Sequence, residues 1–394
     1  MSDLVDQMLQ AAREDAGLQD LGDEWFLGPL QAYARDLQLP HLSEWGRAFL
    51  ARLAHKDLVR RLQVVDCLKK TPVIEETALP PIAYITGHER SGTTLLHNLL
   101  SLHEKARYLS RWELMMPTPP PQASTFGSDE RQALVQKSVD ALRGSDLEKM
   151  HWVNADEPDE CPWGFIDCTG LLGMAPSLIM PNWFQWLYSH DMTQTFVNYR
   201  KVVQILTWKN PVPDGGFLVL KAPQMASYLP SFSAVFPEAH FIYIHRDPYR
   251  VMTSFSTLIN VVDGPFLEDR GYLAELERTE SMMLRRMGRL FDSLVEFEQS
   301  QPHKVSNIHY STLLEHPATE ISRLFGELNY PQDTALDTKV SDFLARQKAG
   351  GRAKARQQLD ESGYSREAVD TYPPIANYLS RYRVAIEATR QTGE

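Results

Sequence analysis

The stretch GHERSGTT, Gly87 to Thr94, places two glycines, one arginine and three hydroxyl side chains within eight positions. Between a strand and a helix, such a segment turns backbone N–H groups and the positive end of a helix dipole toward an anion. Its G-x-x-x-x-G spacing matches a phosphate-binding loop. However, Thr93 and Thr94 stand where the lysine that reaches a β- or γ-phosphate belongs, so ATP or GTP hydrolysis is disfavoured. Arg90, Ser91, Thr93 and Thr94 instead suit a nucleotide carrying a single 5′-phosphate group, with Gly87, His88, Glu89 and Gly92 completing the binding loop.

A second candidate anion site lies in FIYIHRDPYRVMTSFSTL, Phe241 to Leu258, where Arg246 ends a strand and Ser254 follows eight residues later, about two turns into a helix. Those two side chains can converge on a further phosphate. The HRD triplet also occurs in kinase catalytic loops. Here Met252 takes the place of the required asparagine, and neither DFG nor a glycine-rich GxGxxG is present.

Together, RSGTT and RDPxxxxxS resemble the motifs of sulfotransferases that use 3′-phosphoadenosine-5′-phosphosulfate (PAPS). The resemblance implies that Gly87 to Thr94 holds the 5′-phosphosulfate with Arg90 beside the sulfuryl group, and that Arg246 and Ser254 hold the 3′-phosphate. FLVLKAP, Phe217 to Pro223, is similar to the family's Lys-x-Pro strand end. NIHYSTLLEHP, Asn307 to Pro317, is similar to its late strand and helix, and the helical N-terminus to that of larger bacterial members. Two departures stand out: Gln224 lies near Lys221 where relatives often carry a histidine, and the RKGxxGDW loop is absent. GGRAKARQQ, Gly350 to Gln358, is the candidate replacement, with Arg352, Lys354 or Arg356 meeting the 3′-phosphate.

Sulfuryl transfer, like phosphoryl transfer, asks a protein to align the incoming atom, the sulfur and the leaving phosphate, and to stabilise the charge that shifts. Arg90 and Lys221 are the catalytic cations this implies, and no metal is demanded. The acceptor hydroxyl must also lose a proton. Glu113, in SRWELMMPTPPP, is the first choice of base; it sits where several relatives, tyrosylprotein sulfotransferases among them, place a glutamate. Trp112 and Met116 would desolvate it and raise its pKa. His151, in MHWVNADEPDECPWGF, is the second choice. It stands beside Asp156, Glu157, Asp159 and Glu160, an acidic run that otherwise reads as a solvated turn. Trp183, Phe184, Trp186 and Tyr188, with Met115, Met116 and Trp163, could line an apolar pocket for a lipid, sterol or aromatic alcohol, or belong to the core.

Positioning these groups requires strands at Ile82 to Thr86, Phe217 to Lys221, His240 to His245 and Val305 to Tyr310, short apolar runs bounded by turn signals. Strands separated by helices predict an α/β fold, a P-loop-like parallel sheet flanked by helices. Before it, apolar residues at three- and four-residue spacing from Leu4 to Leu68 predict several short helices. The proline-bearing TPVIEETALPP separates the two parts. The expected division is an N-terminal helical region over residues 1–75 and an α/β sulfotransferase domain over 76–394.

The 394 residues are 43% hydrophobic, enough for a large core, and 51 acidic against 40 basic residues give a net charge of −11. That balance speaks against nucleic-acid binding. Three cysteines, Cys67, Cys161 and Cys168, fit neither a disulfide framework nor zinc spacing. With no apolar leader and no membrane-length span, the reading is cytoplasmic. The leading expectation is a PAPS-dependent sulfotransferase acting on a hydroxyl, or an amine, of a small or lipid-like acceptor. The alternatives are a P-loop nucleotide kinase and a non-catalytic nucleotide-binding protein of the same fold. A homodimer is left open.

Overall fold

Strand β1, Ile82–Gly87, is buried along its whole length, as the central strand of a covered parallel sheet must be. It pairs with β3, Phe217–Lys221, on one side and β4, Ala239–His245, on the other. Adding β2, Ala106–Tyr108, and β5, Val305–His309, gives one parallel sheet in the order β2-β3-β1-β4-β5. The computed structural model describes residues 2–146, 148, 153–170, 179–349 and 364–387.

Alternate side chains of β1 enter opposite layers, as the period of a strand dictates. Ala83 and Ile85 pack with Leu96, Leu99, Ile242 and Leu324, whereas Ile82 and Tyr84 pack with Phe232, Phe241 and Phe297. The second layer also takes in Tyr33 and Leu50 from the N-terminal helices. Those helices are Ser2–Ala16, Leu27–Asp36 and Glu44–Lys70. The expected several short helices are thus partly replaced by one of 27 residues, which meets no proline or glycine after Gly46. The Asp36 carboxylate accepts from the backbone N–H groups of Asn182, 3.1 Å, and Trp183, 2.8 Å, at the start of the helix Pro181–Ser189.

The expected α/β fold with a parallel sheet, flanking helices and an N-terminal helical region is the one observed. Four strands were foreseen within a residue at each end; β2 was not, because it has three half-buried residues with Arg107 at its centre. The order places β1 where the chain's excursions diverge, β3 on one flank and β4 on the other. A crevice therefore opens beyond their carboxyl ends. Among the described residues, no helix is long and apolar enough to cross a membrane.

Candidate functional site

Register explains why the motif residues meet. Ile85 of β1 pairs with Lys221, and Gly87 pairs with Ile244, two positions before Arg246. Both cations therefore flank the loop that leaves β1. Within that loop Gly87 has φ +139°, Arg90 +70° and Gly92 +103°. A Cβ at Gly87 would lie 2.8 Å from the Ile244 carbonyl oxygen, and one at Gly92 would lie 2.4 Å from Cδ2 of Tyr310. Glycine is required at both for space and for backbone conformation. Ser91 closes the turn, donating from Oγ to the His88 carbonyl at 2.6 Å. Gly92 then precedes the helix Thr93–Leu100, whose N-terminus has no side-chain cap. A helix start without a side-chain cap has the donor geometry that suits an anion.

The two anion motifs interlock. Arg90 donates from Nε to Oγ of Ser254 at 2.9 Å, and Arg246 donates from Nη1 to the Arg90 carbonyl at 2.8 Å. The other edge of Arg246 holds Glu387, with Nε to Oε1 at 2.7 Å and Nη2 to Oε2 at 3.1 Å. Its guanidinium lies 4.3 Å from the ring centroid of Tyr310, and a cavity of about 280 Å³ opens beside it.

Lys221, 1% exposed at the end of β3, donates to Oγ1 of Thr94 at 3.1 Å and pairs with Glu160 at 3.1 Å. Glu160 also accepts from Gln224. Asp159 pairs with Arg111 at 2.5 Å. The acidic run is a solvated turn only in its first half, where Asp156 is exposed and Glu157 half-buried; Asp159 and Glu160 are buried and bonded to cations on other segments. Nearby His97 is pushed down to about 3, mainly by burial and further by Lys221.

Residues 81–334 match the family model described as the sulfotransferase family. The chain belongs to that family. No curated protein matches the sequence. In fold it is similar to sulfotransferase STF9 from Mycobacterium avium, with a TM-score of 0.85, 21% identity and coverage of 98% of each chain. It is also similar to sulfotransferase STF1 from Mycobacterium tuberculosis H37Rv, with a TM-score of 0.76, 18% identity and coverage of 94% of this chain and 98% of the other.

Other expected site residues of this sulfotransferase-family chain are placed differently from one another. His88 and Glu89 stay in the loop, but their side chains are buried beneath it, with Nδ1 of His88 3.3 Å from Glu89. Glu89 forms an ion pair with Arg286 of the helix Met282–Ser300. Burial alone would raise the Glu89 carboxyl, but Arg286 and His88 outweigh it and hold it below the usual carboxylate value. Burial pushes the His88 imidazole below its ordinary value.

Glu113 is fully buried and completes a capping box on the helix Arg111–Met115. It accepts from the backbone N of Ser110 at 2.9 Å, from its Oγ at 2.7 Å, and from both Nη atoms of Arg107. The carboxylate is removed from water, as expected, and Ser110 and Arg107 supply the hydrogen bonds it loses. None of those bonds goes to the loop. His151, Arg352, Lys354 and Arg356 lie outside the described residues.

Trp163, Phe184 and Trp186 pack against the core cluster that contains Trp183, whereas the two methionines pack elsewhere. Trp183 is a core residue donating to the Cys168 carbonyl at 2.9 Å, while Met115 and Met116 pack around Trp112. Trp163 receives Arg111 over its ring at 4.4 Å, and Tyr188 receives Arg289 at 4.2 Å. Sequence reasoning read Glu160 only as part of an acidic run and missed Arg286 and Glu387, because each is defined by a partner on a distant segment and none carries a local motif. Among the described residues, no group of three or more His, Cys, Asp and Glu side chains gathers as metal ligands.

Proposed function

We propose that the protein transfers the sulfuryl group of PAPS to a hydroxyl, or an amine, of a small or lipid-like acceptor. The observation that carries this reading is the interlock of Arg90, Ser254 and Arg246, which joins the two motifs into one surface. A loop with glycine-only positions and an uncapped helix suits a 5′-phosphate. The cavity beside Arg246 adds room for part of a nucleoside.

In this reading, loop N–H groups with Thr93 and Thr94 receive the 5′-phosphate, and Arg246 and Ser254 receive the 3′-phosphate. Arg90 neutralises charge that moves onto the leaving phosphate oxygen, and Lys221, already on Thr94, supports it. The acceptor O–S bond, or N–S bond for an amine, forms as the S–O bond to phosphate breaks, and the acceptor proton passes to a base. Glu113 is the first candidate for that base and His151 the second. The products are adenosine 3′,5′-bisphosphate and a sulfate ester, or a sulfamate where the acceptor is an amine. Three free cysteines, two of them buried, agree with a reducing, cytoplasmic setting.

Calorimetric titration with adenosine 3′,5′-bisphosphate, 5′-AMP and ATP, with and without Mg²⁺, tests this reading. Metal-independent binding that weakens when the 3′-phosphate is removed is expected. Preference for ATP with Mg²⁺ would replace it with a nucleotide kinase.

A further inference from the structure

Arg246 presents three faces, and two are committed within the fold. Nη1 is held by the Arg90 carbonyl at 2.8 Å, and the planar face rests on Tyr310. What remains for an anion is the edge formed by Nε and Nη2, the fork that binds carboxylates and phosphates in bidentate fashion. That edge is taken by Glu387, at 2.7 and 3.1 Å. One guanidinium edge cannot hold two forked anions at once.

The strap that carries Glu387 is anchored independently of this carboxylate. The backbone N of Glu387 donates to Oδ2 of Asp247 at 2.8 Å, and Arg366 donates to the Glu387 carbonyl at 3.1 Å. Arg366 is itself paired with Asp247 at 3.0 Å. The side chain can therefore rotate off Arg246 while the backbone stays docked. It is about one-third exposed, so its released carboxylate has water to enter.

We propose that Glu387 is an intramolecular competitor for the anion edge of Arg246. It sets how strongly the site selects a nucleotide with a second, 3′-linked phosphate, and how fast that nucleotide leaves. The inference rests on the nucleotide reading given above. A ligand bearing the 3′-phosphate must displace Glu387 on arrival, and the carboxylate recaptures Arg246 on departure. A ligand without that phosphate leaves the pair undisturbed. The carboxylate therefore weakens only ligands that use Arg246, which narrows discrimination and hastens release of the bisphosphate product.

The test titrates wild type, Glu387→Gln and Glu315→Gln with adenosine 3′,5′-bisphosphate and 5′-AMP by calorimetry, with dissociation rates by stopped flow. Glu315 lines the same cavity and controls for simple loss of negative charge. Expected is a roughly two- to fivefold tighter bisphosphate affinity and slower release in Glu387→Gln alone, about the worth of a partly exposed ion pair, with 5′-AMP unchanged. Equal bisphosphate affinity in wild type and Glu387→Gln would overturn the inference and leave the nucleotide reading standing. Equal tightening in Glu315→Gln would overturn it as a mere field effect. Absence of any 3′-phosphate preference in all three proteins would overturn both.

Discussion

The Nε atom of Arg90 donates to Oγ of Ser254 at 2.9 Å, tying the loop after β1 to the helix Pro248–Asp263 after β4. Two motifs far apart in the chain thus form one surface. Arg246, which holds the Arg90 carbonyl, ties the strand end after β4 to the same loop.

Arg246→Ala removes the charged donors facing the second anion and also the clamp on Arg90. Affinity for adenosine 3′,5′-bisphosphate should fall by about 2 kcal/mol, roughly thirtyfold, the worth of a hydrogen bond to a charged group. Affinity for 5′-AMP should change far less. Calorimetry on both ligands checks this, and equal losses would place Arg246 outside the 3′-phosphate site.

Gly92→Ala combines an unfavourable φ of +103° with a Cβ placed 2.4 Å from the Tyr310 ring. A loss of about 1–3 kcal/mol in unfolding free energy is expected. In Gly92→Ala/Tyr310→Ala, the steric part of that loss should disappear and the backbone part remain. Denaturant titration of both singles and the double provides the comparison.

Asp263 is fully buried, and neither carboxyl oxygen has a hydrogen-bond partner among the described residues. Burial pushes its carboxyl well above the ordinary aspartate value. The sign follows from linkage: the folded state holds this proton more tightly than the unfolded chain. Its stabilising contribution is complete below the ordinary aspartate range and is lost as pH rises through the raised native value, at about 1.4 kcal/mol per pH unit. Asp263→Asn should remove that dependence and be more stable than wild type at pH 8. Urea denaturation at pH 5 and pH 8 measures it; an equal pH dependence in the two proteins would refute it.

Glu113 is tested by two substitutions with different expectations. Glu113→Gln keeps the side chain's size and part of its capping role, so nucleotide binding should persist while turnover is lost if Glu113 takes the acceptor proton. Glu113→Ala strips Arg107 of its buried partner and should cost about 3–5 kcal/mol of stability. Turnover retained in Glu113→Gln would transfer the role of base to His151.

The loop and both cations were legible in the sequence because their signals are local. Gly87 and Gly92 mark turns through missing side chains, and Arg246 and Lys221 close short apolar runs. β2 was not legible, since Arg107 interrupts the apolar pattern and three residues hold little periodicity. Asp159 and Glu160, the second half of the acidic run, misled for the opposite reason. Charge normally signals solvent, yet Lys221 and Arg111 compensate Glu160 and Asp159 in the interior.

The sequence by itself determined the α/β order, the glycine-bearing turn after β1 and the Arg246 strand end, because propensity, turn chemistry and spacing act over a few neighbouring residues. Only the tertiary structure decided which charges meet: Glu160 with Lys221, Glu89 with Arg286 and Glu387 with Arg246. Those pairings depend on sheet order, strand register and helix packing, which bring distant segments within a few ångströms and exclude the water that would otherwise screen them.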